Sequence, residues 1–112
     1  MIKINIAKDF SETPDGRTPK DSDSSGEKFR EEILIPRYQE AINKNDRLEI
    51  CFDGCYGCPP SFLEESFGGA VRNHGVIGML GILDLIANDD ETIPGNVKKY
   101  VETAEKKHLK RN

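Results

Sequence analysis

The fold is decided by residues 47–73, which read RLEICFDGCYGCPPSFLEESFGGAVRN. Apolar side chains alternate with polar ones over residues 47–53, which is the pattern of a strand with one covered face. The following GCYGCPP, residues 54–60, has the composition of a turn. Ser61 and Glu64 then form a capping box, which predicts that Ser61 is the N-cap of a helix. A strand, a turn and a helix are therefore predicted in immediate succession.

The same order of strand and helix is predicted on both sides of this stretch. Upstream, isoleucines at every second position predict a strand over residues 1–8, and Ser24 begins a capping box that opens another helix. Pro36 should kink that helix, because its ring displaces the backbone bond to the carbonyl four residues earlier. Downstream, a strand is predicted over residues 82–87, followed by a helix that begins near Pro94.

The alternation of strands with helices indicates an α/β fold, a small βαβαβα domain with a mainly parallel sheet. In such a sheet ligands bind beyond the carboxyl ends of the strands. Three loops should meet at that edge, namely residues 9–24, 54–60 and 88–93. Gly68 and Gly69 lie within the helix that Ser61 begins, where they weaken helix propensity and therefore indicate a closely packed neighbour.

Length and composition limit the class of protein. The chain has 112 residues, 16 Lys plus Arg against 20 Asp plus Glu, and a formal net charge of −4. A single domain over residues 1–112 is expected at this length, and the negative charge argues against nucleic-acid binding. The sequence has no run of about 18 apolar residues, so no membrane span is expected. Three cysteines without a secretory leader indicate a cytoplasmic location. Residues 9–24 are rich in Ser and Pro, and this loop is expected to be mobile.

Two motifs resemble those of a known family. One is SGEKFR at residues 25–30, with Arg17 upstream of it, and the other is SFLEESFGG at residues 61–69. Together they resemble the prokaryotic STAS-like domains of unknown function, which are distantly similar to anti-anti-sigma STAS domains. The resemblance covers most of the chain, and it implies a small STAS-like α/β fold.

The same resemblance implies a function. It implies a non-enzymatic regulatory module that binds a protein partner and takes part in partner switching. In STAS domains, a Ser or Thr at the start of the helix after a central strand is phosphorylated by an ATP-dependent kinase, and Ser61 is the matching residue here. The implied partner is a histidine-kinase-like ATPase, and no cofactor is implied. The predicted partner-binding surface lies on the helix that Ser61 begins. It consists of Phe62, Glu65, Ser66, Gly68 and Gly69.

A small ligand-binding enzyme or sensor is the alternative, with its site at the strand edge under residues 9–24. The best candidate ligand is an anion, because Arg17 and Arg30 flank a predicted helix start at Ser25 and Gly26. No complete catalytic constellation is visible in the sequence, which favours the non-enzymatic interpretation.

The three cysteines Cys51, Cys55 and Cys58 have the spacing Cys-x3-Cys-x2-Cys. No metal site is expected, because Cys51 falls within a predicted strand and the sequence has no second Cys-x2-Cys pair. A reactive thiol at Cys55 or Cys58 is favoured instead, since both precede a helix N-terminus, which lowers the pKa of a thiol.

Overall fold

Three parallel strands form the centre of the protein, for which a computed structural model describes residues 1–110. The strands are β1, Ile2–Asn5, β2, Leu48–Cys51, and β3, Leu83–Ile86. They lie side by side in the order β1-β2-β3, with Ile4 opposite Ile50 in the first pair. The predicted α/β fold with a parallel sheet is confirmed.

Two helices cross from one strand to the next, and each contains a π-helical turn between two α-helical segments. The segments of α2, which joins β1 to β2, are Gly26–Phe29, Arg30–Leu34 and Ile35–Asn43. The segments of α3, which joins β2 to β3, are Pro60–Leu63, Glu64–Gly68 and Gly69–His74. The wide turn in α2 ends just before Pro36. The helix is therefore irregular next to Pro36, where the kink is predicted.

The remaining helices are shorter or terminal. Helix α1 is a single turn, Ile6–Asp9, directly after β1. A 3-10 turn, Met79–Gly81, leads into β3, and α4, Ile93–Lys110, closes the described part of the chain. Among residues 1–110, no helix combines the length and the apolar character needed to cross a membrane.

The first residues of α2 and α3 differ from those predicted. Ser25, not Ser24, is the N-cap of α2, and its hydroxyl accepts a hydrogen bond from the Lys28 N–H at 3.2 Å. Helix α3 begins at Pro60 with Pro59 as its cap, so Ser61 is the second helical residue and makes no capping bond. Proline is well suited to a first helical position because it needs no backbone donor there. The prediction that Ser61 is an N-cap is therefore wrong.

The capping role of Ser25 predicts a stability change. Ser25→Ala removes the acceptor for the Lys28 N–H inside a fully buried site, and we expect the free energy of unfolding to fall by about 1 kcal/mol. Ser24→Ala is the matched control, because Ser24 takes part in hydrogen bonds through its backbone; it should change stability by less than about 0.5 kcal/mol. Urea unfolding of the two variants measures both values. Equal losses would contradict the assignment of the cap.

The core lies on one face of the sheet. In a sheet of order β1-β2-β3, right-handed crossovers place α2 and α3 on the same side. Ile2, Ile4, Leu48, Ile50 and Leu83 point to this side and are buried, whereas Lys3, Glu49 and Asp84 on the other side are exposed or half-buried. The largest fully buried side chains include Phe29, Leu34, Leu48, Ile50, Phe62 and Phe67. Three of these rings, with Phe10, form a cluster between the helices and the first loop.

Candidate functional site

Three loops meet at the carboxyl ends of the strands, as the sequence predicts. The Tyr56 N–H donates to the Glu12 carbonyl at 2.7 Å, and this bond joins the loop of residues 54–60 to the loop of residues 9–24. The Gly54 N–H donates to Asp89 Oδ2 at 3.0 Å, and the Asp89 N–H donates to Asp53 Oδ1 at 2.9 Å. These bonds join the end of β2 and the loop of residues 54–60 to the loop of residues 88–93. The loop edge is therefore a connected surface.

Two clefts open on this surface, and Tyr56 and Gly57 line both of them. One cleft has a volume of about 400 Å³ and the other of about 250 Å³. The larger cleft is lined by Thr13, Pro14, Asp15, Ser22, Tyr56, Gly57 and Pro59. The smaller is lined by Phe52, Asp53, Cys55, Tyr56, Gly57, Cys58, Asp89, Asp90 and Ile93.

The carboxylates of the smaller cleft are occupied by hydrogen bonds within the loops. Asp53 accepts from the Asn88 side-chain amide at 2.9 Å as well as from the Asp89 N–H. Asp90 accepts from the Thr92 hydroxyl at 2.6 Å. The Asp90 bond is a local turn bond of the kind that Asp favours, whereas the Asp53 bonds join the end of β2 to the loop after β3. Within residues 1–110, no group of three or more His, Cys, Asp or Glu side chains is arranged to hold a metal ion.

The two cysteines of the smaller cleft are less acidic than the sequence suggests. Burial raises the pKa of the Cys55 thiol, and it raises the pKa of the Cys58 thiol to about 12. The prediction that the pKa values of these thiols are lowered is wrong in direction, because desolvation by burial is the largest influence on both. Cys55 donates its S–H to the Ser11 carbonyl at 3.7 Å.

A network of ion pairs holds α2 against α3. Arg30, whose side chain is 5% exposed, donates from Nη1 to Glu65 Oε2 at 2.7 Å and to the Glu65 carbonyl at 2.8 Å. Its Nε donates to Glu31 at 2.6 Å, and Glu31 also contacts His74 at 2.7 Å. Hydrogen bonds from Arg30 and His74 hold the pKa of Glu31 below its ordinary value. The network is thus built around a buried guanidinium.

The residues predicted to bind an anion form ion pairs and hydrogen bonds with other groups of the protein. Arg17 is paired with Glu64 at 2.7 Å, and Arg30 is paired with Glu65. The N–H groups at the start of α2 are also engaged, since the Gly26 N–H donates to the Gly16 carbonyl at 2.9 Å. Ser25 accepts from its own helix. The anion site stays a prediction.

The predicted partner-binding surface requires a correction. Phe62 and Ser66 are fully buried, and both glycines of the SFLEESFGG motif are buried as well. The Ser66 hydroxyl donates to the Gly26 carbonyl at 3.4 Å, and a Cβ atom on Gly69 would collide with the Arg30 guanidinium. These residues pack α3 against α2, and the close neighbour predicted from the glycine pair is the side chain of Arg30. Of the five residues, Glu65 alone is partly exposed.

The exposed residues near the start of α3 are different ones. Tyr56 is 84% exposed on the turn that leads into the helix. Pro60 is exposed, and Ser61 and Glu64 are half-buried. Tyr56 is not among the site residues predicted from the sequence. The sequence does contain a feature that indicates its exposure, namely an aromatic residue flanked by glycines at positions 54 and 57. These glycines adopt φ values of +91° and +140°, and the turn is therefore irregular.

The comparison with protein families agrees with this architecture. A family model described as a STAS-like domain of unknown function (DUF4325) matches residues 25–84, which run from the N-cap of α2 into β3. The chain belongs to this family. The matched part of the STAS-like domain contains both motifs, SGEKFR and SFLEESFGG, and hence the whole interface between α2 and α3. No curated protein and no solved structure matches the chain at a significant level.

Proposed function

We propose that this STAS-like domain is a non-enzymatic regulatory module that binds a protein partner at the start of α3. The partner that the family resemblance implies is a histidine-kinase-like ATPase, and Ser61 is the residue through which it controls binding. The observation that carries the proposal is the exposure of Tyr56, 84%, on the turn that leads into α3. Exposed tyrosines of this kind supply large contact area at little entropic cost and are frequent in binding hot spots.

The position of Ser61 suits a phosphorylation switch. Its side chain is half-exposed and makes no capping bond, so a kinase would not have to break the helix start to reach it. Pro59 and Pro60 have no N–H groups, and the first backbone donors of α3 are those of Ser61 and its neighbour Phe62. A phosphate on Ser61 would add about −1.5 to −2 charges beside the positive end of the helix dipole. The added charge would change the surface that Tyr56 and Glu64 present.

The second candidate function is binding of a small ligand at the loop edge. The observation that favours it is the cleft of about 400 Å³ between residues 9–24 and the turn of residues 54–60, a volume within the range of small-molecule sites. Its lining contains one charged side chain, that of Asp15, and the arginines Arg17 and Arg30 do not line it. A sensor that binds a neutral polar ligand fits this cleft better than the anion-binding enzyme expected from the sequence.

Two substitutions at Ser61 separate stability from binding. Ser61→Ala should change the free energy of unfolding by less than about 0.5 kcal/mol, because the hydroxyl is not a cap. Ser61→Asp should leave stability unchanged or raise it by about 0.3–1 kcal/mol through the helix dipole. Partner affinity should fall by at least about tenfold in Ser61→Asp, since the new charge must be desolvated at the interface. Calorimetric titration of the ATPase measures the affinity.

A charge placed elsewhere serves as the control. Thr103→Asp adds the same charge on an exposed position of α4, and it should leave the affinity unchanged. Tyr56→Ala should weaken binding at least as much as Ser61→Asp without a loss of stability. If Ser61→Asp and Tyr56→Ala both bind the ATPase like the unmodified protein, the start of α3 is not the partner surface.

A further inference from the structure

Two thiols and an exposed aromatic side chain share one short turn. Cys55 and Cys58 flank Tyr56 and Gly57, and both thiols line the smaller cleft, whose volume is about 250 Å³. Only Tyr56 and Gly57 separate the two cysteines in the chain, and both face the same small cleft. Both are free cysteines in the structure.

The backbone between the two cysteines has room to adjust. Gly57 has a φ of +140°, and no atom lies within 4 Å of the place where a side chain would begin. A disulfide needs the two Cβ atoms about 3.5–4.5 Å apart. Gly57 therefore gives the turn one residue whose backbone can rotate to bring the two Cβ atoms towards that separation.

We propose that Cys55 and Cys58 are a reversible redox site that closes to an intramolecular disulfide, with a hydroperoxide as the oxidant. The Cys55 thiolate attacks one peroxide oxygen, the O–O bond breaks, and a sulfenic acid forms while the other oxygen leaves as hydroxide or water. The Cys58 thiolate then attacks the Cys55 sulfur, the S–S bond forms, and hydroxide leaves. With hydrogen peroxide, two thiols lose two hydrogens and two water molecules form.

The charges around the pair indicate which oxidants reach it. Asp53 and Asp90 line the same cleft as the two thiols, and the negative charges of Glu12, Asp53 and Asp90 help to raise the pKa of these thiols. These carboxylates repel anionic oxidants such as glutathione disulfide and do not repel neutral hydrogen peroxide. Burial keeps the thiols protonated near neutral pH, and oxidation should therefore be slow at pH 7 and accelerate as the pH rises, because the thiolate is the nucleophile.

Closing the disulfide should loosen the contact between this turn and residues 9–24. The Cys55 S–H now donates to the Ser11 carbonyl, and the adjacent Tyr56 N–H donates to the Glu12 carbonyl. A sulfur held in a disulfide has no S–H to donate and moves towards Cys58. The turn that carries Tyr56 then loses one of its two bonds to the first loop.

Peptide mapping by mass spectrometry tests the redox site. The full chain and its Cys51→Ser and Cys55→Ser variants are treated with hydrogen peroxide at pH 7.5 and pH 9, and free thiols are then alkylated. We expect a Cys55–Cys58 disulfide in the unmodified chain and in Cys51→Ser, formed several-fold faster at pH 9 and reversed by dithiothreitol. Oxidation of Cys51→Ser without this disulfide, or a disulfide that maps to Cys51, would overturn the proposal.

Amide exchange tests the effect on the loop. The Tyr56 N–H should exchange at least about threefold faster in the oxidised chain than in the reduced chain, whereas the Leu48 N–H in β2 should be unaffected. Unchanged exchange at Tyr56 in a fully oxidised sample would overturn the link to residues 9–24. Both measurements use the protein without a partner, so their outcome is independent of the partner-binding proposal.

Discussion

Arg30→Met is expected to lower the free energy of unfolding by about 3 kcal/mol. The guanidinium is 5% exposed and donates to both the carboxylate and the carbonyl of Glu65. Methionine fills much of the same volume but leaves the Glu65 carboxylate, 16% exposed, with Arg17 at 3.3 Å as its main partner. Removal of one member of a buried ion pair costs about 3–5 kcal/mol. We expect a loss at the lower end of this range because Arg17 still pairs with the Glu65 carboxylate.

The same substitution on the exposed side of α2 is the control. Arg37 is 48% exposed and lies 4.0 Å from Glu40, a pair that contributes little in water. Arg37→Met should therefore change stability by less than about 0.5 kcal/mol. Chemical denaturation of both variants gives the comparison. Equal effects would mean that the Arg30 network does not hold α2 against α3.

Gly26→Ala is expected to lower the free energy of unfolding by about 2–3 kcal/mol. A Cβ atom at this position would lie 2.7 Å from the Phe62 carbonyl oxygen and 2.9 Å from the Glu65 Cβ. The carbonyl belongs to the backbone of α3, so the clash is relieved only if the two helices move apart. Overpacking of this kind costs about 1–3 kcal/mol, and the rigid neighbour favours the upper part of that range.

Gly95→Ala provides the matched control within a helix. Gly95 lies in α4, and nothing lies within 4 Å of the position that its Cβ would take. Alanine there should be neutral or stabilise the protein by about 0.5 kcal/mol, because it restricts the unfolded chain. A thermal melt distinguishes the pair, and a loss of stability in Gly95→Ala as large as in Gly26→Ala would show that the close approach at Gly26 is not the cause.

The sequence predicts the sheet better than it predicts the helix starts. Alternation of apolar residues locates β1 and β2 because one face of each strand is covered. This pattern involves only residues that are close in the sequence, so it can be read without knowledge of the fold. The capping boxes predict N-caps at Ser24 and Ser61, whereas the observed caps are Ser25 and Pro59. At α2 two adjacent serines compete for the same role, and at α3 a proline begins the helix before the serine.

The surface that we propose for partner binding could not be predicted from motif residues alone. The conspicuous residues of SFLEESFGG are those that pack α3 against α2, because small and apolar side chains allow two helices to approach closely. Exposure of Tyr56 and burial of Arg30 depend on contacts between segments that lie far apart in the sequence. Such long-range contacts leave no periodic pattern. The paired glycines gave one correct indication, since they do mark a close neighbour.

Phosphotransfer from the partner tests the central proposal most directly. The chain is incubated with ATP and the histidine-kinase-like ATPase of its native host, and the phosphopeptides are mapped by mass spectrometry. We predict one phosphate per chain on Ser61, none in Ser61→Ala, and at least about tenfold weaker binding of the phosphorylated chain to the ATPase. An ATPase that binds the chain with equal affinity before and after incubation, with no phosphate on Ser61, would contradict the proposed switch.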